Sequence, residues 1–100
     1  MRIIWRNEAR LDLNDIHEYI SEDNPAAAGE VVDTIYGYTN RQLGEHPDSG
    51  RNGRVTSTLD LVIPRYRNYI VVYRRAANQI DVLAVMHGRR RWPASFGPDR

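Results

Sequence analysis

The sequence contains no cysteine and no long hydrophobic run. Without cysteine the chain has no disulfide bond, no thiolate metal site and no thiol nucleophile. No apolar run approaches the roughly 20 residues that a helix needs to span a bilayer, and the segment "MRIIWRNEARLD" becomes charged too early for a signal peptide. We therefore expect a soluble, cytoplasmic protein without membrane contact, whose stability comes from its core alone.

Lysine is also absent, so all fourteen basic residues are arginine. Arginine binds phosphates and carboxylates through its fork of donors but stays protonated, so it stabilises charge and is not an ordinary general base. The charge is divided unequally, because residues 1–50 hold four arginines against ten carboxylates and residues 51–100 hold ten against three. This polarity indicates either neutralisation across the fold or an acidic partner, nucleic acid or protein, of the second half.

The first half of the chain predicts one strand and two helices. "MRIIWR" has the bulky side chains of a strand. Asn7 is the expected N-cap of the first helix, and Asn24 the expected N-cap of the second, with Pro25 at its first position. Helical spacing places on one face of the first helix Ala9, Leu13, Ile16 and Ile20, and on one face of the second Ala28, Val32, Ile35 and Tyr36, continuing towards Leu43. We expect these two stripes to face each other in an antiparallel hairpin.

The second half predicts strands, after the turn-forming segment "GEHPDSGRNG". Apolar residues recur with a period of two in "RVTSTLDLVIP", and "NYIVVYR" is β-branched and aromatic. The segment "QIDVLAVMH" alternates two sets, namely Ile80, Val82, Ala84 and Met86 against Asp81, Leu83, Val85 and His87. "RAANQ" predicts a hairpin between the last two strands. We therefore predict one α+β domain over residues 1–100, in which a helical hairpin covers an antiparallel sheet ending in a three-stranded meander, with a flexible tail at about 94–100.

These segments, in order, resemble the ParE branch of the RelE/ParE toxin superfamily. The resemblance runs from about Trp5 to Pro93 and rests on "ARLDLNDIHEYISEDNPAAA", "HPDSGRNGRV", "LDLVI", "NYIVVYR" and "IDVLAVMHGRRRWP". It implies the toxin of a bacterial type II toxin–antitoxin module, the class known from plasmid stabilisation and growth arrest. ParE-like members inhibit DNA gyrase, and RelE-like members cut messenger RNA on the ribosome. Both are neutralised by a cognate antitoxin, for example a ParD-like protein, in a toxin–antitoxin hetero-oligomer.

The segment "VLAVMHGRRRWP" leads a strand directly into a basic, aromatic stretch. Consecutive arginines beside a tryptophan suit stacking or an acidic protein surface, although a solvated strand end is the alternative. In the gyrase interpretation the protein is a non-enzymatic inhibitor. Its predicted target-binding residues are then Arg89, Arg90, Arg91 and Trp92.

A metal-independent ribonuclease is the alternative function. Such an enzyme needs a group that transfers a proton and groups that stabilise the phosphate. His87 is the predicted acid or base, and the predicted phosphate ligands are Arg51, Arg54 and Arg74. Several nucleases of the family rely on lysine, which this chain lacks. His17 and His46 are predicted to be structural.

The remaining motifs exclude more than they indicate. "SGRNGR" follows no strand and precedes no helix, so it predicts a tight turn presenting Arg51 and Arg54 rather than a phosphate loop. No glutamate–histidine pair has ligand spacing, so we expect neither a metal nor a cofactor. Tyr36 and Tyr38 lie on different faces of the second helix, and the resemblance makes them the predicted antitoxin-binding residues. A non-toxic module that retains antitoxin binding is the third interpretation.

Overall fold

The computed structural model describes residues 1–96, in which two helices pack against a five-stranded sheet. The elements are β1 (Arg2–Trp5), α1 (Asn7–Ser21), α2 (Pro25–Glu45), β2 (Arg51–Asn52), β3 (Leu59–Val62), β4 (Tyr69–Arg75) and β5 (Gln79–His87). The strand order is β1-β5-β4-β3-β2. The predicted α+β class, the helical hairpin and the meander of β3, β4 and β5 are confirmed.

Two features of the sheet differ from the prediction. β1 pairs with β5 in parallel, so the sheet is mixed, because the chain returns to β1 only after the helices and the meander. Arg51 and Asn52 do not belong to a turn, since they form the short strand β2, antiparallel to β3. Only Arg54 lies in the connection that follows. No helix within residues 1–96 is both long enough and apolar enough to cross a membrane.

The starts of the two helices test the predicted N-caps. Asn24 caps α2 as predicted, because its side chain accepts a hydrogen bond from the Ala27 N–H at 3.1 Å, and Pro25 opens the helix. The prediction for α1 was wrong. Its N-cap is Arg6, which has extended backbone angles and makes no side-chain cap. Arg6 still donates its N–H to the Val82 carbonyl, so the edge of the sheet continues up to the first residue of the helix.

The core lies between the helices and the sheet. The α1 stripe is confirmed, with Ala9 and Leu13 buried and Ile16 and Ile20 packed against the core. In α2 the buried positions are Ala28, Val31, Ile35, Thr39 and Leu43. The predicted inward position of Tyr36 was wrong, since its side chain is 49% exposed. The buried stripe of α2 includes Thr39, a polar residue that the apolar pattern of the sequence did not place in the core. The predicted buried face was therefore rotated by part of a helical turn from the observed one.

A β-bulge in β5 changes which side chains share a face. Val72 pairs with Ala84 but Tyr73 pairs with Val82, so Leu83 is an extra residue on β5. The extra residue shifts the alternation of everything that follows. Val85 therefore joins Val82 in the core, and the predicted alternation was wrong beyond Leu83. His87, two residues after Val85, lies on the side of the sheet that α1 covers.

Candidate functional site

The outer edge of β5 is only partly covered by β1. The parallel pairing runs from Arg2 opposite Gln79 to Trp5 opposite Val82, where the chain turns into α1. Beyond that point the Asp12 side chain of α1 takes the place of a strand, because its Oδ2 accepts a hydrogen bond from the Val85 N–H at 2.8 Å. A carboxylate thus accepts the hydrogen bond that the carbonyl of a neighbouring strand would accept in a longer sheet.

A pocket of about 310 Å³ lies between α1 and this end of β5. Its lining combines two carboxylates, two tyrosines, a histidine and an arginine with apolar walls: Asp12, Asp15, Ile16, Tyr19, Tyr69, Val85, His87 and Arg90. None of α1, β4 and β5 forms this pocket alone, and the β5 bulge is what turns His87 into it. In this pocket titratable groups of both signs meet an apolar wall.

Burial raises the pKa of Asp12 from 3.8 to about 6. The carboxylates of Glu8 and Asp15 raise this pKa further, whereas the hydrogen bond from the Val85 N–H and the charge of Arg90 oppose the rise. Desolvation dominates because the carboxylate is packed between α1 and the sheet, and the charge of Arg90 offsets only part of that effect. Asp12 therefore exchanges a proton just below neutral pH.

His87 ends β5 in a fixed orientation. Its Nδ1 accepts a hydrogen bond from the Arg89 N–H at 3.2 Å, and its ring meets the Tyr69 ring edge-on, with the centroids 5.6 Å apart. Since Nδ1 is an acceptor, the neutral imidazole carries its proton on Nε2. Burial raises the pKa of the Tyr69 hydroxyl, which Arg90 partly offsets. The imidazole of His87 is thus half-buried and is contacted both by the Arg89 N–H and by the Tyr69 ring.

The chain after β5 folds back on the strand end. The His87 carbonyl accepts hydrogen bonds from the Arg90 N–H at 3.0 Å and from the Trp92 indole N–H at 3.2 Å. The side chain of Arg54 donates to the Gly88 carbonyl at 3.0 Å and lies 4.2 Å from the centroid of the Trp92 ring. Between these fixed points three consecutive residues, Arg89, Arg90 and Arg91, are exposed. We call these three residues the arginine turn.

The structure does not gather all the predicted phosphate ligands around His87. Arg54 is close to it but is engaged with Gly88 and Trp92. Arg51 lies on the edge strand β2, opposite Asp60. Arg74 lies five residues along β4 from Tyr69, the partner of His87, a separation of about 17 Å at the usual strand rise.

The side chain of Arg74 instead contacts the segment after the arginine turn. Its Nη2 donates to the Phe96 carbonyl at 3.4 Å. This contact falls within the predicted flexible tail, of which residues 97–100 lie outside the described residues.

The two tyrosines predicted to bind an antitoxin lie in different surroundings. Tyr36 faces outward, and its ring lies 4.9 Å from that of Trp5, tilted by 38°. Tyr38 is half-buried against the core, with the Arg41 guanidinium 5.9 Å from its ring centroid. Tyr36 and Trp5 line an open groove of about 500 Å³ beside the outer edge of β1, with which no second strand of residues 1–96 pairs, together with Ile3, Ile4, Arg10 and Leu13.

Sequence reasoning missed Asp12, Tyr69 and the structural contacts of Arg54. A signal for Asp12 was present, because it follows Ala9 by three positions and so lies beside the buried face of α1. A carboxylate at the border of an apolar stripe indicates a specific partner. For Tyr69 and Arg54 no local pattern was informative, since their partners are distant in the chain.

The comparisons with known proteins agree with this fold. A family model described as the ParE toxin of the type II toxin–antitoxin system parDE matches residues 3–92. A Sinorhizobium fredii (strain NBRC 101917 / NGR234) protein named "Putative toxin Y4kP" is 41% identical over 92 residues, which are 92% of this chain and 93% of that protein. A solved structure described as the chromosomal ParDE TA system from P. aeruginosa has the same fold, with a TM-score of 0.77 and 22% identity over 87% of this chain and 95% of that one.

The class of protein follows from the sequence match and the shared fold: a toxin of a type II toxin–antitoxin system. The chain belongs to the ParE toxin family, which confirms the resemblance found in the sequence. Membership of this family implies an antitoxin partner.

Proposed function

We propose that this protein inhibits DNA gyrase through the arginine turn and that a cognate antitoxin neutralises it. The observation that carries the proposal is the turn itself. Arg89, Arg90 and Arg91 are all exposed, while Gly88 before them donates its N–H to the Asn68 carbonyl and Trp92 after them donates its indole N–H to the His87 carbonyl. Three exposed guanidinium groups on an anchored turn form a surface suited to carboxylates of a protein target or to phosphates of its bound DNA.

The ribonuclease is the second candidate function, because one pocket brings together His87, Asp12 and Arg90. A histidine and a carboxyl group with a pKa of about 6 are suited to acid–base catalysis. The same pocket is less suited to phosphate, however, since Asp12 and Asp15 both line it and repel an anion. The absence of Arg51 and Arg74 from this region also favours gyrase inhibition over RNA cleavage.

The first experiment measures supercoiling of relaxed plasmid by gyrase in the presence of the purified protein. We expect loss of supercoiling or accumulation of cleaved DNA, and we expect the double variant Arg90→Glu, Arg91→Glu to abolish the effect. The matched control is Arg2→Glu, Arg41→Glu, which makes the same charge change at exposed positions on β1 and α2. Circular dichroism and urea denaturation of every variant verify that the fold is intact.

Two other results would reject this proposal. If folded, growth-arresting protein leaves gyrase untouched but cuts messenger RNA on ribosomes, and His87→Gln removes the cutting, then the protein is a ribonuclease. If the protein binds its antitoxin but does not arrest growth and inhibits neither gyrase nor translation, it is the non-toxic module.

For the antitoxin we propose the groove beside β1 as the binding surface. Tyr36 is exposed there against Trp5, and the free edge of β1 has backbone groups available for an added segment. We expect Tyr36→Ala to weaken antitoxin binding by about tenfold or more, as for an aromatic interface anchor. Tyr19→Ala is the matched control, because Tyr19 is 68% exposed but lies on α1 outside the groove. Equal losses for both variants, measured by calorimetric titration, would contradict this assignment.

A further inference from the structure

Arg54 lies in the connection between β2 and β3 but contacts residues far along the chain. Its Nη1 donates a hydrogen bond to the carbonyl of Gly88 at 3.0 Å, across 34 positions in the sequence. Its guanidinium also stacks on the indole of Trp92, 4.2 Å from the ring centroid. One side chain therefore contacts the chain on both sides of the arginine turn.

The backbone of Arg54 is tied to the sheet. Its N–H donates to Oδ2 of Asp60 at 3.4 Å, and Asp60 belongs to β3 with only 8% of its surface exposed. The neighbouring Gly53 N–H donates to the Thr58 carbonyl at 2.8 Å, which closes the connection. Adding a Cβ to Gly53 would place it 2.2 Å from the Thr58 hydroxyl, so this tight geometry requires glycine. Arg54 thus extends from a constrained loop.

Trp92 is constrained by its contacts with the strand end and with Arg54. Its indole N–H donates to the His87 carbonyl, which also accepts from Arg90, and the opposite contact is the Arg54 guanidinium. Trp92 is half-buried in consequence. An aromatic ring that already stacks on a guanidinium within its own chain has one face fewer to offer to a target.

We propose that Arg54 is the positioning residue of the arginine turn, holding Gly88 and Trp92 so that the three exposed arginines are arranged before a target binds. This inference rests on the proposed function and deepens it. It also replaces two sequence-based roles, because Arg54 becomes a positioning residue instead of a phosphate ligand, and Trp92 becomes its stacking partner instead of a target contact. Prearranging a binding segment strengthens binding by reducing the ordering that the complex requires.

The chemistry of the contact requires arginine. A guanidinium is planar, so it can stack on an indole while an N–H at its edge donates to a carbonyl. A lysine ammonium keeps the charge but has no planar face to combine the two contacts. The inference therefore predicts that Arg54→Lys behaves more like Arg54→Gln than like the unaltered protein.

The direct test follows the two indole N–H groups by NMR hydrogen exchange, without any target. The Trp92 indole donates to the His87 carbonyl, and the Trp5 indole donates to Asn40 of α2 and serves as the internal reference. We expect Arg54→Gln to speed exchange of the Trp92 indole by about tenfold and to leave that of Trp5 unchanged. Arg67→Gln is the matched control, because exposed Arg67 lies next to Asn68, whose carbonyl binds the Gly88 N–H.

The functional test uses the same variants in the gyrase assay, with antitoxin binding as the check on folding. We expect Arg54→Gln and Arg54→Lys to raise the concentration needed for half inhibition by about tenfold, whereas Arg67→Gln does not. Unchanged Trp92 exchange in Arg54→Gln, or full inhibition by Arg54→Lys, would overturn the inference. If the unaltered protein leaves gyrase untouched, the proposed function fails, but the exchange measurement still decides whether Arg54 holds the turn.

Discussion

The two halves of β5 differ in what lies along their outer edge. From Gln79 to Val82 the edge is paired with β1, backbone to backbone. Beyond the bulge at Leu83 single side chains make the contacts instead, since Asp12 accepts from the Val85 N–H and Arg54 donates to the Gly88 carbonyl just after the strand. Backbone pairing tolerates many side chains, whereas the second half depends on a few particular ones. We call the half that pairs with β1 the paired half and the half beyond the bulge, which pairs only with β4, the unpaired half. The paired half therefore fixes the fold, and the unpaired half is where specificity for a binding partner can change.

The two halves also differ in how they hold a buried carboxylate. Asp81 in the paired half is 2% exposed, but it forms an ion pair with Arg6 at 2.6 Å and accepts from Gln79 at 2.9 Å. Asp12 beside the unpaired half accepts the Val85 N–H, and its pKa rises to about 6. The first carboxylate is thus held by a cation and an amide, whereas the second is held by a backbone N–H and its burial raises its pKa.

The largest effect is expected in the paired half. Arg6→Gln leaves the buried carboxylate of Asp81 without its cation, and we expect the free energy of unfolding to fall by about 3 kcal/mol. The control is Arg75→Gln, because Arg75 pairs with Asp48 on the surface, where the Asp48 side chain is 75% exposed. That variant should lose less than about 1 kcal/mol. Equal losses in urea denaturation at pH 7 would show that burial does not distinguish the two pairs.

A smaller loss is expected when the side chain that replaces β1 is removed. Asp12→Ala leaves the Val85 N–H without its acceptor, and we expect a loss of about 1.5 kcal/mol at pH 7. Asp12→Asn keeps an oxygen acceptor without the charge, so it should be at least as stable as the unaltered protein at that pH. Urea denaturation of both variants tests whether the hydrogen bond or the charge matters. A large loss in Asp12→Asn would show that the charge is the stabilising feature.

Asp12 also makes stability depend on pH. Its pKa is about 6 in the folded protein against an ordinary 3.8, so between these values the folded state binds more protons than the unfolded state. The added stability is therefore fully present below about pH 4 and is lost as the pH rises through 6. Because Asp12 is only partly buried, we expect a gain of about 1 kcal/mol from pH 7 to pH 5, after allowing for solvent screening.

Asp12→Asn is the control for this pH dependence and should remove that gain. Glu8, Asp15, His87 and Arg90 also face Asp12, and all four are unchanged in the variant. Burial raises the pKa of Asp60 as well, so a remaining slope of the same sign is expected in both proteins. Identical slopes for the unaltered protein and Asp12→Asn, measured by denaturation across this pH range, would exclude Asp12 as the source.

The same division explains how much the sequence predicted. Periodicity identified both helices and the strands of the meander, because each pattern is local and repeats over many residues. The bulge was not predictable, since "VLAVM" is apolar throughout and fits either register. The contacts that build the site join Asp12 to Val85 across 73 positions and Arg54 to Gly88 across 34. Composition drew attention to the arginines, but no local pattern revealed that Arg54 contacts Gly88 and Trp92.

The smallest effect is expected from Trp92→Phe, which separates the two contacts of that ring. Phenylalanine keeps a face for the Arg54 guanidinium but loses the N–H that donates to the His87 carbonyl. That carbonyl still accepts from the Arg90 N–H, so we expect a loss of only about 0.5 kcal/mol in urea denaturation and a change in gyrase inhibition within about twofold. Trp92→Ala removes the stack as well and should resemble Arg54→Gln. If Trp92→Phe were as damaging as Trp92→Ala, the indole hydrogen bond would hold the turn, and the unpaired half would rest on His87 more than on Arg54.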